Sequence, residues 1–241
     1  MQDDFIRPDW PAPKNVRALS TTREGGASTG PYTSLNLAEH VGDAAQAVAA
    51  NRARLQQALG GAVPRWLKQV HGTRVAGEEL SSREPADASV TARRGQACVV
   101  MTADCLPVIL CDKAGTRVAA AHAGWRGLSA GVLEATLQSM GTTDLLAWMG
   151  PAIGPKAYEV GEEVRQAFVA QSAEATEAFA PGKAEGKWWC DLYMLARQRL
   201  DAVGVKDIYG GGFCTFTDKQ RFFSFRRDGE CGRMATLIWL E

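Results

Sequence analysis

Residues 96–127 have the sequence QACVVMTADCLPVILCDKAGTRVAAAHAGWRG and contain three short apolar runs in quick succession. The runs cover 97–102, 106–111 and 116–121 and are rich in β-branched and small apolar residues, which predicts three strands. They are apolar on both faces, as central strands are when helices cover a sheet. The sequence therefore predicts an α/β or α+β fold with a mixed β-sheet covered by helices.

Further helices and strands are predicted on both sides of this segment. The predicted helices, most of which end next to a glycine, cover 43–59, 126–140, 162–170 and 191–203. The additional predicted strands cover 16–22, 65–70, 144–149, 205–209, 222–226 and 234–240. No internal repeat, low-complexity tract or long linker interrupts the pattern, so we expect a single domain over residues 1–241.

The length and charge of the chain exclude several classes of protein. The chain has 241 residues, with 27 basic and 27 acidic side chains. At this length roughly three quarters of the unfolded surface can be buried, enough for a core without disulfides. Nucleic acid is not expected as a partner, because binding to phosphate backbones needs a surplus of Lys and Arg. No apolar run of ~18 residues and no signal peptide is present, so we expect a soluble, cytoplasmic protein without a membrane partner.

The cysteines and histidines are few enough to consider one by one. None of the six cysteines forms a C-x-x-C pair, so most are expected to be reduced and buried. The histidines are His40, His71 and His122. A multicopper oxidase needs many more imidazoles to hold a blue copper and a three-copper cluster, so one chain cannot form that centre.

Two histidines and one cysteine lie at the ends of predicted strands. Cys105 follows Asp104 in the bend after residue 102, His122 follows the third strand, and His71 follows residues 65–70. A thiolate with two imidazoles suits zinc and leaves the fourth tetrahedral position open, as in catalytic sites. Their wide spacing matches no compact zinc motif. The residues alone therefore leave three alternatives: a metal site, structural side chains, or the Cys–His dyad of a cysteine hydrolase.

The motif HAGWRG, residues 122–127, follows the third predicted strand. It offers glycines, backbone N–H groups and Arg126 at a predicted helix start, which favours an anion such as phosphate. The alternative is that the glycines only form a tight turn between strand and helix.

The stretch CTFTDKQRFFSFRRDG, residues 214–229, combines two arginines with three phenylalanines. Arg226 and Arg227 can grip phosphate with two parallel hydrogen bonds, and an aromatic face can stack on a base. The alternative is a half-buried strand with solvated arginines.

Several motifs together resemble one bacterial family. They are SLNLAEHVGD (34–43), NRARL (51–55), QVHG (69–72), TADCLPV (102–108), HAGWRG (122–127), GPAIGP (150–155), YEVGEEV (158–164) and FFSFRRD (222–228). The set resembles the YfiH-like, laccase-domain family, formerly called multicopper polyphenol oxidase and described as zinc purine nucleoside phosphorylase or peptidoglycan editing factor. The resemblance spans nearly the whole chain.

The resemblance implies a metal site and an activity. It implies that His71, Cys105 and His122 hold one zinc ion per chain, with copper possible at the same site. It implies an α/β domain similar to the cytotoxic necrotizing factor toxins, whose catalytic Cys and His keep a hydrolase or amidase as an alternative. The implied substrates are adenosine, inosine, guanosine and 5'-methylthioadenosine, which phosphate cleaves to base and ribose 1-phosphate. Adenosine deamination is an implied second activity, and editing of peptidoglycan precursors is a further alternative.

Other side chains are assigned roles around the three implied ligands. Asp104, with His71, Cys105 and His122, is expected to be catalytic, since a carboxylate can move a proton during deamination. The side chains expected to bind phosphate or substrate are Arg126, Arg226, Arg227, Lys68, Asn36 and His40. We expect a monomer or a small homo-oligomer.

Overall fold

The computed structural model describes residues 5–78 and 84–241. The strands are β1 (Val16–Ser20), β2 (Val63–Arg65), β3 (Val75–Ala76), β4 (Ala88–Thr91), β5 (Gln96–Thr102), β6 (Leu106–Asp112), β7 (Val118–Ala123), β8 (Leu145–Met149), β9 (Glu159–Gly161), β10 (Phe179–Pro181), β11 (Lys187–Cys190), β12 (Asp207–Gly210) and β13 (Met234–Leu240). The α-helices are α1 (Ala45–Ala58), α2 (Trp125–Ala130), α3 (Val132–Met140), α4 (Glu162–Val169), α5 (Leu192–Ala202) and α6 (Phe225–Asp228). Short 3-10 helices cover Gly30–Tyr32 and Ala173–Ala178.

Two mixed sheets form the centre of the fold. The first has the strand order β1-β13-β5-β2 and the second has the order β12-β8-β6-β7-β4-β3. Parallel pairs join β2 to β5, β12 to β8 and β3 to β4, and the other pairs in these sheets are antiparallel. A small antiparallel sheet has the order β10-β11-β9. The predicted mixed α/β class is confirmed.

The alternation of side chains along β6 shows how the layers are stacked. Ile109 and Cys111 pack in a core shared with the first sheet, whereas Val108 and Leu110 pack under helices α2 to α5. On the far side of the first sheet, Leu55 of α1 belongs to a third cluster. The order of layers is therefore helix, sheet, sheet, helices. This explains why the central strands are apolar on both faces: one face meets a sheet and the other meets helices.

The bend between β5 and β6 connects the two sheets. Thr102 ends β5 in the first sheet, and Leu106 begins β6 in the second. Residues 103–105 therefore lie where the two sheets meet at one edge. Leu106 pairs with Ala123 of β7, so Cys105 and Gly124 are the next residues beyond this pair.

Most predicted elements shift by a residue or two in the structure, and three differences have a clear physical cause. The predicted helix 126–140 is divided at Gly131, where a left-handed φ of 100° interrupts the helical path. The third strand begins at Val118, because the turn before it is closed by the Asp112 carboxylate. Only Arg65 of the predicted strand 65–70 lies in a strand, β2, and Lys68 makes an isolated bridge to Pro85.

The predicted strand 222–226 is wrong. Phe222 and Phe223 are both fully buried, although neighbours in a strand point to opposite faces. Ser224 then caps the short helix α6 by accepting a hydrogen bond from the Arg227 backbone N–H at 3.3 Å. Burial of two adjacent rings in a separate core cluster outweighs their strand propensity.

The strands that the sequence did not predict are short. They are β3, β4, β9, β10 and β11, each of four residues or fewer. Such segments carry too few alternating positions to show a period of two. In the described ranges, no helix combines the length and apolar character needed to cross a membrane.

Candidate metal centre

The sheet edge described above brings the three predicted ligands together. One ligand atom from each of His71, Cys105 and His122 lies within 4.8 Å of the others. The Cys105 Sγ lies 3.9 Å from the His71 Nε2, and the two imidazole centroids are 4.8 Å apart. Sequence positions far apart in the chain therefore converge at one place, as the predicted metal site requires.

The donor set and the space around it fit a metal ion. His122 is buried, Cys105 is half-buried and His71 is exposed, so the cluster is open on the His71 side. A thiolate and two imidazoles leave one tetrahedral position for a substrate or water. A Cβ built on Gly124 would lie 2.8 Å from the Cys105 Sγ and 3.2 Å from the His71 Cδ2. Only glycine at this position lets the two ligands approach so closely.

Asp87 holds both histidines and was missed by the sequence analysis. Its Oδ1 lies 2.8 Å from the Nδ1 of His122, whose other ring nitrogen is left for a metal. The same carboxylate accepts hydrogen bonds from the backbone N–H groups of Val70, His71 and Gly72. Asp87 comes directly before β4, which pairs with β7, and this register places it opposite His122. No local motif around residue 87 could have revealed these partners.

The protein environment favours a charged thiolate beside a charged imidazole when no metal is bound. Burial opposes ionisation of Cys105, but attraction to His122 and hydrogen bonds to His122 and His71 lower its pKa. Burial likewise opposes a charge on His122, but the Cys105 thiolate and the Asp87 carboxylate raise its pKa. A thiolate is the form in which cysteine binds metals and attacks electrophiles.

Two residues of the site have left-handed backbone conformations. His71 has φ 61° and Asp104 has φ 96°, both uncommon for residues with a side chain. Three N–H bonds to Asp87 hold the first turn, and Asp104 is held through both carboxylate oxygens. This local strain is maintained by the surrounding hydrogen bonds and aims both side chains at the site.

A cavity of about 460 Å³ opens beside the cluster. Four further predicted residues, His40, Asp104, Arg126 and Arg226, line it together with the three ligands. Asp104 accepts hydrogen bonds from the Thr215 hydroxyl and the Arg226 backbone N–H, so both of its oxygens are engaged. Burial and the charges of Arg233 and Arg52 lower the pKa of His40, which favours its neutral form.

Three predicted binding residues do not line this cavity. Arg227 donates to the carbonyls of Thr215, Phe216 and Phe222 and to Asp228. Asn36 is fully buried; its amide donates to Ala38 and Asp43 of its own loop and accepts from the backbone N–H of Arg233, directly before β13. Lys68 is exposed and does not line the cavity. The first two stabilise the chain around the site instead of facing a ligand.

Arginine–aromatic pairs line the cavity, and the sequence analysis identified only some of their members. Arg126 lies over Trp125, Arg226 over Tyr158 and Arg233 over Phe225, with distances of 4.7, 5.1 and 5.7 Å to the ring centroids. The pairs lie on different segments, so no local spacing signals them. Gln69 also lines the cavity and fixes the backbone of Met101 through two hydrogen bonds of 2.8 Å.

Comparison with known proteins places these features in one family. The family model described as multi-copper polyphenol oxidoreductase laccase matches residues 17–241. This chain belongs to that laccase-like family. Its members include a Pseudomonas aeruginosa protein named purine nucleoside phosphorylase, 56% identical over 98% of both chains. The Escherichia coli protein named purine nucleoside phosphorylase YfiH is 54% identical over 98% of both chains.

Solved structures of the laccase-like family share the fold. A Neisseria meningitidis protein superposes with a TM-score of 0.95 at 51% identity, and 99% of each chain is covered. YlmD from Geobacillus stearothermophilus gives a TM-score of 0.90 at 30% identity, covering 100% of this chain and 98% of its own. With three histidines, this member of the family cannot hold the several copper ions that its family description names.

Proposed function

We propose that this protein is a metal-dependent purine nucleoside phosphorylase. It cleaves adenosine, inosine, guanosine and 5'-methylthioadenosine with phosphate, giving a free base and ribose 1-phosphate. The proposal depends on one observation: the His–Cys–His cluster and Arg126, whose guanidinium has unused hydrogen-bond donors, line the same cavity. The names of close relatives in the family support the same activity.

The metal is zinc, one ion per chain, held by His71, Cys105 and His122. Their donor set is typical of catalytic zinc, and a single copper could occupy the same ligands. When bound, the ion supplies a Lewis acid that polarises an oxygen or nitrogen of the substrate. Asp87 keeps the His122 ring oriented, and the exposed side of His71 leaves room for the nucleoside.

Arg126 is the principal phosphate ligand. Its guanidinium lies over the Trp125 ring and makes no hydrogen bond to any described residue. Arg226 uses one donor on the Glu159 carbonyl at 2.7 Å and keeps others for a ligand. Asp104 is the only acidic residue among the described lining residues, and both of its oxygens are engaged. The cavity is therefore positively charged, which favours an anionic co-substrate.

In the reaction, the protein holds phosphate and nucleoside so that a phosphate oxygen attacks the ribose C1'. The bond from C1' to the base breaks, and the base leaves with its electron pair. Apolar lining residues such as Ile153 and Leu192 exclude water that would compete with phosphate. Neutral His40, at the cavity wall, can share a hydrogen bond with the base.

The test is release of adenine from adenosine by zinc-loaded protein with and without inorganic phosphate. We expect release only with phosphate, and one ribose 1-phosphate for each base. Release that is independent of phosphate would contradict phosphorolysis.

Arg126→Ala tests the assignment of Arg126 as the phosphate ligand. Loss of a charge-assisted hydrogen bond predicts a KM for phosphate at least about tenfold higher, since such bonds contribute about 1.5–3 kcal/mol. The surface variant Arg17→Ala, which removes an exposed arginine paired with Glu241, is the control. An unchanged KM for phosphate in Arg126→Ala would remove this residue from the site.

Deamination of adenosine at the same metal is a second proposed activity. It would release ammonia and inosine in the absence of phosphate, which separates it from phosphorolysis in the same assay. Asp104 is the proposed proton carrier, because it lines the cavity next to Cys105.

A cysteine hydrolase is the alternative that one observation favours. The Cys105 pKa is lowered by His122, and His122 is oriented by Asp87, an arrangement that resembles a nucleophile, base and carboxylate. Such an enzyme would work without metal and phosphate and would be blocked by thiol alkylation. Editing of peptidoglycan precursors would show neither nucleoside turnover nor dependence on phosphate.

The proposed location is the cytoplasm, where phosphate and nucleosides are available. All six cysteines are free, which supports a reducing compartment. We propose that the protein works as a monomer or small homo-oligomer on small molecules.

A further inference from the structure

Phe225 is an exposed aromatic side chain in the wall of the metal-centre cavity. It is 58% exposed, whereas Phe222 and Phe223 of the same FFSF sequence are fully buried. An exposed phenyl ring is not stabilised by burial in the hydrophobic core. Its aromatic face is a suitable surface for a planar base. We propose that Phe225 recognises the nucleoside by stacking on its base. The inference rests on the proposed function and names the residue that recognises its substrate class.

The backbone that carries Phe225 is held on both sides. The N–H of Arg226 donates to the Asp104 carboxylate at 2.6 Å, and the N–H of Arg227 donates to the Ser224 hydroxyl. The Arg227 guanidinium also donates to the carbonyls of Thr215 and Phe222. The backbone under the Phe225 ring is therefore fixed. Binding of a base then costs little conformational entropy, because the ring needs little further ordering.

The support lies next to the metal centre. Asp104, which binds the residue after Phe225, is the chain neighbour of Cys105. A base stacked on Phe225 thus stays in the same cavity as the three metal ligands.

The position of Arg233 does not depend on Phe225. Arg233 lies 5.7 Å from the centroid of the ring, but its guanidinium also donates to the carbonyls of Cys231 and Gly232 at 2.8 and 3.0 Å. Removing the ring would leave this arginine in place. A role of Phe225 only in positioning Arg233 is therefore not required by the structure.

The test compares Phe225→Ala, Phe225→Leu and Phe225→Tyr in the zinc-loaded protein. Stacking predicts a KM for adenosine at least about fivefold higher in the Ala variant, with KM for phosphate unchanged. Tyr, which keeps the flat ring, should remain near wild type, and Leu, which keeps only apolar bulk, should lie close to Ala. The control is Val63→Ala, which shortens another exposed apolar side chain outside the cavity.

Direct binding of adenosine, measured by calorimetry without phosphate, separates this inference from the proposed function. Wild-type protein that binds adenosine but releases no base when phosphate is then supplied, with weaker binding in Phe225→Ala, would support stacking and overturn the phosphorylase. Equal affinity in wild type and Phe225→Ala, equal affinity in wild type and Phe225→Leu, or no adenosine binding by wild type would each overturn the role of Phe225.

Discussion

At the scale of single residues, the metal centre depends on side chains that do not contribute equally to folding. His71 is exposed, and its imidazole ring lies against Cys105 and His122. His122 is 3% exposed, and its ring nitrogen is bonded to buried Asp87. Substitution of either should abolish metal binding, but the consequences for the rest of the protein should differ.

His71→Ala and His122→Ala test that difference. Both should lose zinc and nucleoside turnover. His122→Ala leaves the Asp87 carboxylate without one of its partners, so we expect an extra loss of about 1–3 kcal/mol in unfolding free energy. Metal analysis and urea unfolding of the metal-free proteins measure the two effects. Retention of zinc by His122→Ala would show that this ring is not a ligand.

Asp87→Asn tests whether the carboxylate orients the ligands. The amide keeps the size of the side chain but offers one acceptor oxygen fewer to the three N–H groups and the His122 ring. Loss of such a supporting contact predicts metal affinity about 10–100-fold weaker. Competition with a chromogenic chelator measures the affinity. Affinity equal to that of the wild type would mean that backbone geometry alone orients the histidines.

At the scale of elements, the link between β7 and α2 shapes the metal centre. Leu106 opposite Ala123 sets the register, and it brings Cys105 beside Gly124. Gly124 has an ordinary φ of −62°, so its backbone conformation would accept alanine. The only obstacle is the contact of the added Cβ with the neighbouring side chains. The same register places Pro107 opposite His122, which fixes the distance between two ligands along neighbouring strands.

Gly124→Ala should therefore disrupt the ligands without disrupting the helix. The new methyl group would stand 2.8 Å from the Cys105 sulfur, so the thiol must move and metal affinity should fall at least about tenfold. Gly77→Ala is the matched control, because nothing lies within 4 Å of its Cβ. Wild-type metal affinity in Gly124→Ala would show that the ligands tolerate this displacement.

The sequence predicts long buried strands better than short or irregular segments. The runs that became β5, β6 and β13 are mostly apolar, and each strand is seven residues long and buried along nearly its whole length. The error at 222–226 arises because two adjacent phenylalanines enter a core pocket from a loop. Aromatic residues have a high strand propensity, which favours a strand at 222–226. Only the tertiary contacts show that this segment has no strand to pair with.

The family motifs predict the cluster of His71, Cys105 and His122 from sequence, but they do not predict its supporting residues. His71, Cys105 and His122 carry chemistry that stands out by residue type. Asp87 is one of many acidic residues, and its partners come from residues 70–72 and from β7. Arg227 illustrates the opposite error, since an arginine beside aromatics predicts a ligand contact but here donates to backbone carbonyls.

At the scale of the whole molecule, the metal centre lies at the edge of the core. The core clusters between the two sheets and under the helices contain none of the three ligands. The single domain over residues 1–241 remains a prediction, and it implies that the layers unfold together.

Removal of the metal should therefore leave the protein folded. We expect the chelated protein to keep its circular dichroism spectrum and to unfold cooperatively. Its Tm should fall only because the binding free energy of the ion no longer adds to the unfolding free energy. Thermal unfolding at several zinc concentrations measures this shift. Collapse of the spectrum on chelation would show that the ion is part of the folding core.

The proposed activity requires one ion held by three side chains inside the substrate cavity. Anomalous diffraction at the zinc absorption edge, from crystals of the zinc-loaded protein, tests this most directly. We predict one strong peak at about 2.0–2.1 Å from a ring nitrogen of each of His71 and His122 and about 2.3 Å from the Cys105 sulfur. A peak elsewhere on the chain, or no peak between these atoms, would contradict the metal centre and the mechanism built on it.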